Sequence, residues 1–282
     1  MRRERGMGRK MKYKLIASDL DGTLLAPSGE ITEENLAAIA RITDAGVLFV
    51  PVTGRALYEI PESVRECPNV RYIICSNGAV IYDRATGESE RHCFTAERFA
   101  EIRSLVTEYT ATMTVHCDLY SVADANMTRE MYEYYRVNEY YQAHIKQNNV
   151  LRDDFKEYIE LPHEAEMMSL FFKYDSELEE CRERLIAMGD VDVTSSVAGN
   201  LELIRHGALK GAALTKLCAR LGISTDAVIA VGDSSNDISM MQTAGTALAA
   251  ANASDAVKSV ADEVVCSCFD NIACDIWEKY IK

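Results

Sequence analysis

No apolar run in the 282 residues approaches the ~20 needed to cross a bilayer, which argues against a membrane-spanning protein. Sustained heptads and a Gly-X-Y repeat are missing too, which excludes a coiled coil and a collagen. Positive charge is in deficit, with 30 Lys and Arg against 44 Asp and Glu and a net charge of -14. A phosphate backbone attracts basic surfaces, so this balance argues against general nucleic-acid binding. A secretory signal is not expected, because only Leu15, Ile16 and Ala17 follow the basic start before Ser18 and Asp19. The nine cysteines are an odd number and fit a reducing cytoplasm better than a disulfide framework. Cys266, Cys268 and Cys274 cluster, yet no second Cys/His pair completes a zinc tetrahedron, and they read as small buried hydrophobes.

What is present is 48% hydrophobic and 26% charged sequence, enough for real cores, over a length that suits about two domains. The first fourteen residues depart from the acidic average, with seven Lys and Arg against Glu4. Residues 1–11 read as a basic, disordered tail. Beyond it, strand-like and helix-like patterns alternate, as in a parallel α/β layer. Tyr13 to Ala17 is an apolar run ending at Asp19. A helix starts at a Thr32 N-cap, presents Leu36, Ile39, Ala40 and Thr43 on one face, and closes at Gly46. Val47 to Val52 is a strand leading to Thr53-Gly54-Arg55. Tyr72 to Cys75 and Ala79 to Tyr82 flank Ser76-Asn77-Gly78 as a hairpin-like pair. The style returns with a helix from Leu209 to Gly222, a strand Val228 to Val231 and a helix from Asn236 to Ala244. The region between differs, with a Tyr-rich helix Arg129 to His144, a strand Met168 to Phe172 and a helix around Leu178 to Met188. The expected architecture is an α/β, Rossmann-like parallel-sheet core, residues 12–83 and 208–282, with an α+β cap, residues 84–207, inserted in it.

Chemistry concentrates where core strands end. Asp19-Leu20-Asp21-Gly22-Thr23-Leu24 follows an apolar strand, and ligands of open parallel sheets bind beyond such carboxyl ends. Gly22 lets the backbone turn sharply away. Gly232-Asp233-Ser234-Ser235-Asn236-Asp237 repeats the arrangement on a second strand. Helix capping by Asp or Asn accounts for one acidic residue there but not for two matched acidic strand ends. Lys210 and Thr53, each taken alone, read equally as a surface lysine and a turn hydroxyl.

Together these four pieces, in this order, resemble the haloacid dehalogenase superfamily of phosphohydrolases. More narrowly they resemble its Cof-type members (class IIB), whose large α+β cap is inserted between the second and third motifs. Asn77-Gly78-Ala79 and Asn252-Ala253 also resemble family segments, so the likeness covers nearly everything after the basic tail. Asn271 stands where relatives usually have Gly, and Asn tolerates the left-handed backbone nearly as well. The cysteine count and lack of a signal pattern make a cytoplasmic setting the expectation, and the resemblance implies a Mg²⁺-dependent phosphatase acting on small phosphate esters such as sugar phosphates or phosphorylated cofactors. It implies Asp19 as nucleophile, forming an aspartyl-phosphate, and Asp21 as general acid and base. Asp19, the Asp21 main-chain carbonyl and Asp233 would hold the metal, while Thr53, Lys210 and Asn236 would bind phosphate and Asp237 would orient Lys210 or metal-bound water. A cation is needed on physical grounds, because two like charges ~4 Å apart repel by about 4 kcal/mol at an effective dielectric of ~20. The pKa of Asp21 is expected to be raised, since an ordinary Asp is protonated in only about one molecule per thousand at pH 7.

In the inserted region, Tyr132, Tyr134, Tyr135, Tyr140 and Tyr141 read as packing residues with wet hydroxyls, and His116, Asp118 and Tyr120 are candidates for the pocket wall. His206 reads as a solvated turn residue. Two other functions stay open: a phosphomutase on the same fold, and a phospho-accepting signalling protein without turnover, which would need neither Asp21 nor a lid. Substrate identity and oligomeric state are not legible.

Overall fold

The computed structural model describes residues 12–26 and 28–282; the basic segment 1–11 and Pro27 lie outside the described residues. Three sheets organise the described residues. Five strands form an all-parallel sheet in the order β14-β13-β12-β1-β2: β1 (Leu15–Ser18), β2 (Leu48–Pro51), β12 (Val228–Gly232), β13 (Thr246–Ala249) and β14 (Glu263–Val264). β1 and β12 are buried throughout, as continuous apolar runs in a parallel sheet covered on both faces should be. β3 (Tyr72–Cys75), β4 (Val80–Asp83) and β5 (Glu88–Arg91) form an antiparallel sheet joined to the edge of β2 through the Val52–Ile74 bridge. A six-stranded sheet in the order β10-β11-β9-β6-β7-β8 takes up the middle of the chain. Its members are β6 (Ala111–Cys117), β7 (Tyr120–Asp124), β8 (Val150–Arg152), β9 (Met167–Phe172), β10 (Val191–Thr194) and β11 (Asn200–Arg205), and only the β7–β8 pair is parallel.

The expected α/β class, with a parallel core and an α+β cap, is the fold observed. Helix Glu33–Asp44 starts from Thr32, whose hydroxyl accepts from the Asn35 N–H, and ends before Gly46 at φ 86°. Its buried face is Asn35, Ala38, Ile39 and Ile42, rotated from the face expected on apolar spacing. The rotation follows from Asn35, whose amide donates to the Leu24 carbonyl and whose oxygen accepts from Ala273 N–H, so a polar residue occupies a core position with its bonds made. Helix Lys210–Leu221 stops at Gly222 in the left-handed conformation. Asn271 is left-handed as well, at φ 62°.

The Tyr-rich segment is not one helix. It splits into Arg129–Tyr134 and Glu139–Asn148, because Arg136 turns left-handed, Val137 is buried, and Asn138 accepts from the Tyr141 N–H as a new N-cap. The six-stranded sheet shows a period of two. Val115, Met168, Leu170, Leu201 and Leu203 face helices Ala96–Val106 and Asp175–Ala187 in an apolar layer. The alternate residues Thr114, His116, Ser169 and Glu202 face a cavity over the carboxyl ends of β1 and β12. Among the described residues, no helix is long and apolar enough to cross a membrane.

Candidate active site

β1 and β12 are in parallel register, Ser18 beside Val231, so the chain leaves both strands at the same level and Asp19 N–H still bonds the Val231 carbonyl at 3.0 Å. This places the Asp19 and Asp233 carboxylates together. Gly22, at φ 78°, passes directly beneath Asp233: a Cβ there would lie 2.4 Å from Asp233 Oδ2, so only glycine permits the approach. The side chain of Asn252 fastens the turn from outside, donating to the Gly22 carbonyl at 2.7 Å and accepting from Cys268 N–H at 3.0 Å.

Lys210, fully buried at the start of its helix, donates to Asp19 Oδ1 at 2.8 Å and to Asp237 Oδ1 at 2.6 Å. Asp237 Oδ2 accepts the N–H groups of Asp233 and Ser234, both at 3.0 Å, so both of its oxygens are engaged. Thr23 donates to Asp233 Oδ1 at 3.3 Å. Asp19 Oδ2, by contrast, is buried without a hydrogen-bond partner. Oxygens of Asp19, Asp233 and Asp237 all lie within 4.8 Å of one another. One ammonium therefore serves three carboxylates. Burial and then the charge of Asp237 hold the Asp19 carboxyl well above the ordinary range, against the pull of Lys210. Burial and Asp237 likewise push Asp233 up to about 7. Lys210 moves upward, because the two carboxylates outweigh its burial. An orphaned oxygen beside a crowded, all-oxygen donor set is what a hard divalent cation would satisfy, so the residues fit a metal of that class.

Asp21 departs from expectation. Burial pushes its carboxyl upward, but Arg55 outweighs this through Nε on Oδ2 at 2.8 Å and Nη2 on Oδ1 at 2.6 Å, aided by His144 and the Tyr140 hydroxyl at 3.0 Å. The result is a carboxyl below its usual value, where the sequence led us to expect one above it. Thr53 is buried and its hydroxyl accepts from Arg55 N–H at 3.2 Å. Asn236 donates to Asn77 Oδ1 at 3.1 Å and leaves its own oxygen buried and unpartnered.

Asp19, Asp21, Thr53, Asp233 and Asn236 line one cavity of about 510 Å³, with Lys210 directly behind Asp19. His116 of the cap lines it as expected. Tyr120 does not: it is exposed and stacks on Tyr58, 4.3 Å between ring centroids. Asp118 sits in the β6–β7 turn at φ 51°, paired with Arg91. Tyr140 and Tyr141 do more than pack, since both line the cavity. His206 is an exposed turn residue paired with Asp192. Arg55, Glu59, His144 and Glu202 were not singled out from the sequence. Arg55 follows Thr53 by two residues at a strand end, and the alternating Asn-Leu-Glu-Leu-Ile of β11 carried the signal for Glu202. All nine cysteines are free.

The comparisons with known proteins agree with this geometry. The family model of haloacid dehalogenase-like hydrolases matches residues 16–271. The chain is 32% identical to a 5-amino-6-(5-phospho-D-ribitylamino)uracil phosphatase of Bacillus subtilis over 89% of each chain. It is 29% identical to a pyridoxal phosphate phosphatase of Escherichia coli over 90% of this chain and 94% of that one. A solved haloacid dehalogenase-like hydrolase from B. subtilis superposes with a TM-score of 0.81 at 28% identity, covering 94% of this chain and 99% of the other. With its motifs in order on the expected fold, the chain belongs to the haloacid dehalogenase-like hydrolase family.

Proposed function

We propose that this chain is a Mg²⁺-dependent phosphatase of small phosphorylated metabolites that works through an aspartyl-phosphate on Asp19. It is a phosphoric monoester hydrolase by family, and its named relatives act on a ribitylamino-uracil phosphate and on pyridoxal phosphate. One observation carries the reading: Asp19 offers a single free oxygen, Oδ2, while Lys210 grips the other. Oδ2 attacks phosphorus in line, the bond to the ester oxygen breaks, and Asp21 gives that oxygen its proton. Asp21 then takes a proton from the water that attacks the aspartyl-phosphate, and Asp19 is regenerated.

Asp21 rests as a carboxylate under Arg55, and the arriving phosphate adds like charge beside it, which favours the protonated form needed for the first step. Thr53 and Asn236, which line the cavity, would donate to phosphate oxygens, and Lys210, bonded to Asp19, would neutralise the nucleophile. The carboxylates of Asp19 and Asp233, with the Asp21 main-chain carbonyl, would hold Mg²⁺, which supplies neutralisation of the phosphate charge. Asp237, fully engaged by Lys210 and two backbone N–H groups, is a positioning residue. The core is assigned to residues 12–83 and 208–282 and the cap to 84–207, a lid that keeps water out of the first step. The free cysteines fit a cytoplasmic setting.

The test is phosphate release from sugar phosphates, pyridoxal phosphate and flavin mononucleotide, with Mg²⁺, with EDTA, and with Asp19→Asn. Metal-dependent release that vanishes in Asp19→Asn is the expected result. Release that survives Asp19→Asn would remove the aspartyl-phosphate from the mechanism.

A further inference from the structure

Resting on the phosphatase reading, we infer that the cap face of the cavity selects monophosphate esters whose leaving group carries no second negative charge and donates hydrogen bonds, with Glu202 as the specificity-determining residue. Glu202 projects from β11 into the cavity at only 4% exposure. Its Oε2 accepts from Asn77 Nδ2 at 2.6 Å, and its Oε1 accepts from Asn200 Nδ2 at 3.3 Å and from the Ser196 hydroxyl. Those three donors fill three of the about four acceptor sites of a carboxylate, which leaves room for one donor from a ligand. A second acceptor lines the same wall. Asn149 donates its Nδ2 to Ser121 Oγ at 2.7 Å, and its Oδ1 is buried with no partner.

Cations that could welcome a second anion are already committed. Arg55, the sole Lys or Arg among the described residues lining the cavity, spends Nε and Nη2 on Asp21 and Nη1 on the Glu59 carbonyl. His116 Nε2 lies 3.5 Å from Glu59 Oε2 and His144 Nε2 lies 3.3 Å from Glu59 Oε1. Their other ring nitrogens meet Ser76 Oγ and Asn148 Nδ2. Among the described residues, the cavity lining thus holds two buried carboxylates, Glu59 and Glu202, an unfilled acceptor on Asn149, and no Lys or Arg without a partner. A leaving group with its own phosphate or carboxylate is repelled there, whereas a hydroxyl or an amine finds a partner.

The test compares ligands of matched skeleton and different charge: glucosamine 6-phosphate, glucose 6-phosphate and 6-phosphogluconate, then glycerol 3-phosphate against 3-phosphoglycerate. Affinity is read by calorimetry on Asp19→Asn, which separates binding from turnover, and kcat/KM is read on the wild type. We expect the neutral and cationic members to be favoured at least about tenfold over their anionic counterparts. Glu202→Gln should narrow that ratio at least about threefold, and Asn149→Leu should weaken the neutral ligands alone. Equal affinity for glucose 6-phosphate and 6-phosphogluconate, a ratio unmoved by Glu202→Gln, or no binding by any member overturns the inference. Ordered binding without phosphate release defeats the phosphatase reading and leaves the inference standing. Release without the order does the reverse.

Discussion

Lys210 and Arg55 show how far a single side chain can set the chemistry of its neighbours. Lys210 has no exposed atom to spend on water, so its ammonium is stable only between Asp19 and Asp237. Lys210→Met leaves those two buried carboxylates without a cation. We expect unfolding stability to fall by about 3–5 kcal/mol and kcat by roughly 10²–10³-fold. A urea titration and steady-state kinetics on the same preparation check this, and a variant of wild-type stability would show that the carboxylates have found another counter-charge. Arg55 acts on Asp21 alone of the catalytic pair, through a bidentate fork that holds the carboxyl below its usual value. In Arg55→Met, burial is opposed only by the weaker pull of His144 and Tyr140, and the carboxyl rises. The alkaline limb of kcat/KM follows loss of the proton that Asp21 must give, so it should move to higher pH while the maximum falls with the lost alignment. A limb that stays in place would mean that Arg55 does not set this proton. The acidic motifs were legible because short strings at strand ends carry them. Arg55 was not, because nothing in Thr53-Gly54-Arg55 says that its partner lies 34 residues upstream.

At the scale of elements, the helix Glu139–Asn148 is the cap's arm into the site: Tyr140 donates to Asp21 Oδ1 and His144 meets Glu59 on the core. Tyr140 is 51% exposed, so its ring contributes little packing. Tyr140→Phe removes one hydrogen bond to a carboxylate, which predicts a roughly 10-fold loss in kcat/KM with stability unchanged to within about 0.5 kcal/mol. Kinetics paired with a thermal melt would separate the two, and a matching loss of stability would recast Tyr140 as structural. This arm is not legible in the sequence, since tyrosines spaced along a helix fit a packed face equally well. The break that frees the arm was encoded more openly, in Asn138 followed by Glu139, but a strong apolar-aromatic period masks a cap signal inside it. Strand alternation was just as available in β6, β9 and β11. It reads as ordinary half-buried strand until the tertiary fold shows that the polar side faces a cavity rather than water.

For the whole molecule, the site is a reservoir of unfavourable charge that the fold has to carry. The five-stranded parallel sheet converges Asp19 and Asp233 because two strands far apart in the chain are neighbours in register, a convergence that the paired motifs implied and the sheet order makes explicit. The metal-free protein therefore has a pH dependence of definite sign. Asp233 has a folded pKa of about 7 against an ordinary value of 3.8, so the folded state holds a proton that the unfolded state has released between those limits. Stability from this group is full below about pH 4 and is lost as pH rises through 7, the reverse of a salt-bridged carboxylate. Removing metal with EDTA should thus lower Tm more at about pH 8 than at about pH 5. Added Mg²⁺ should raise Tm at about pH 8 in proportion to the logarithm of its concentration above Kd, because it binds the folded chain alone. Asp233→Asn takes away one of the two raised carboxyls and a ligand, so it should weaken the pH dependence, leaving the part owed to Asp19, and abolish the Mg²⁺ shift. Thermal melts of the two proteins at the two pH values, with EDTA or with Mg²⁺, read all of this without any substrate. A Mg²⁺ shift that persists in Asp233→Asn would put the cation elsewhere, and a metal-free Tm that rises with pH would mean that the carboxylates are ionised and compensated by charge this geometry does not hold.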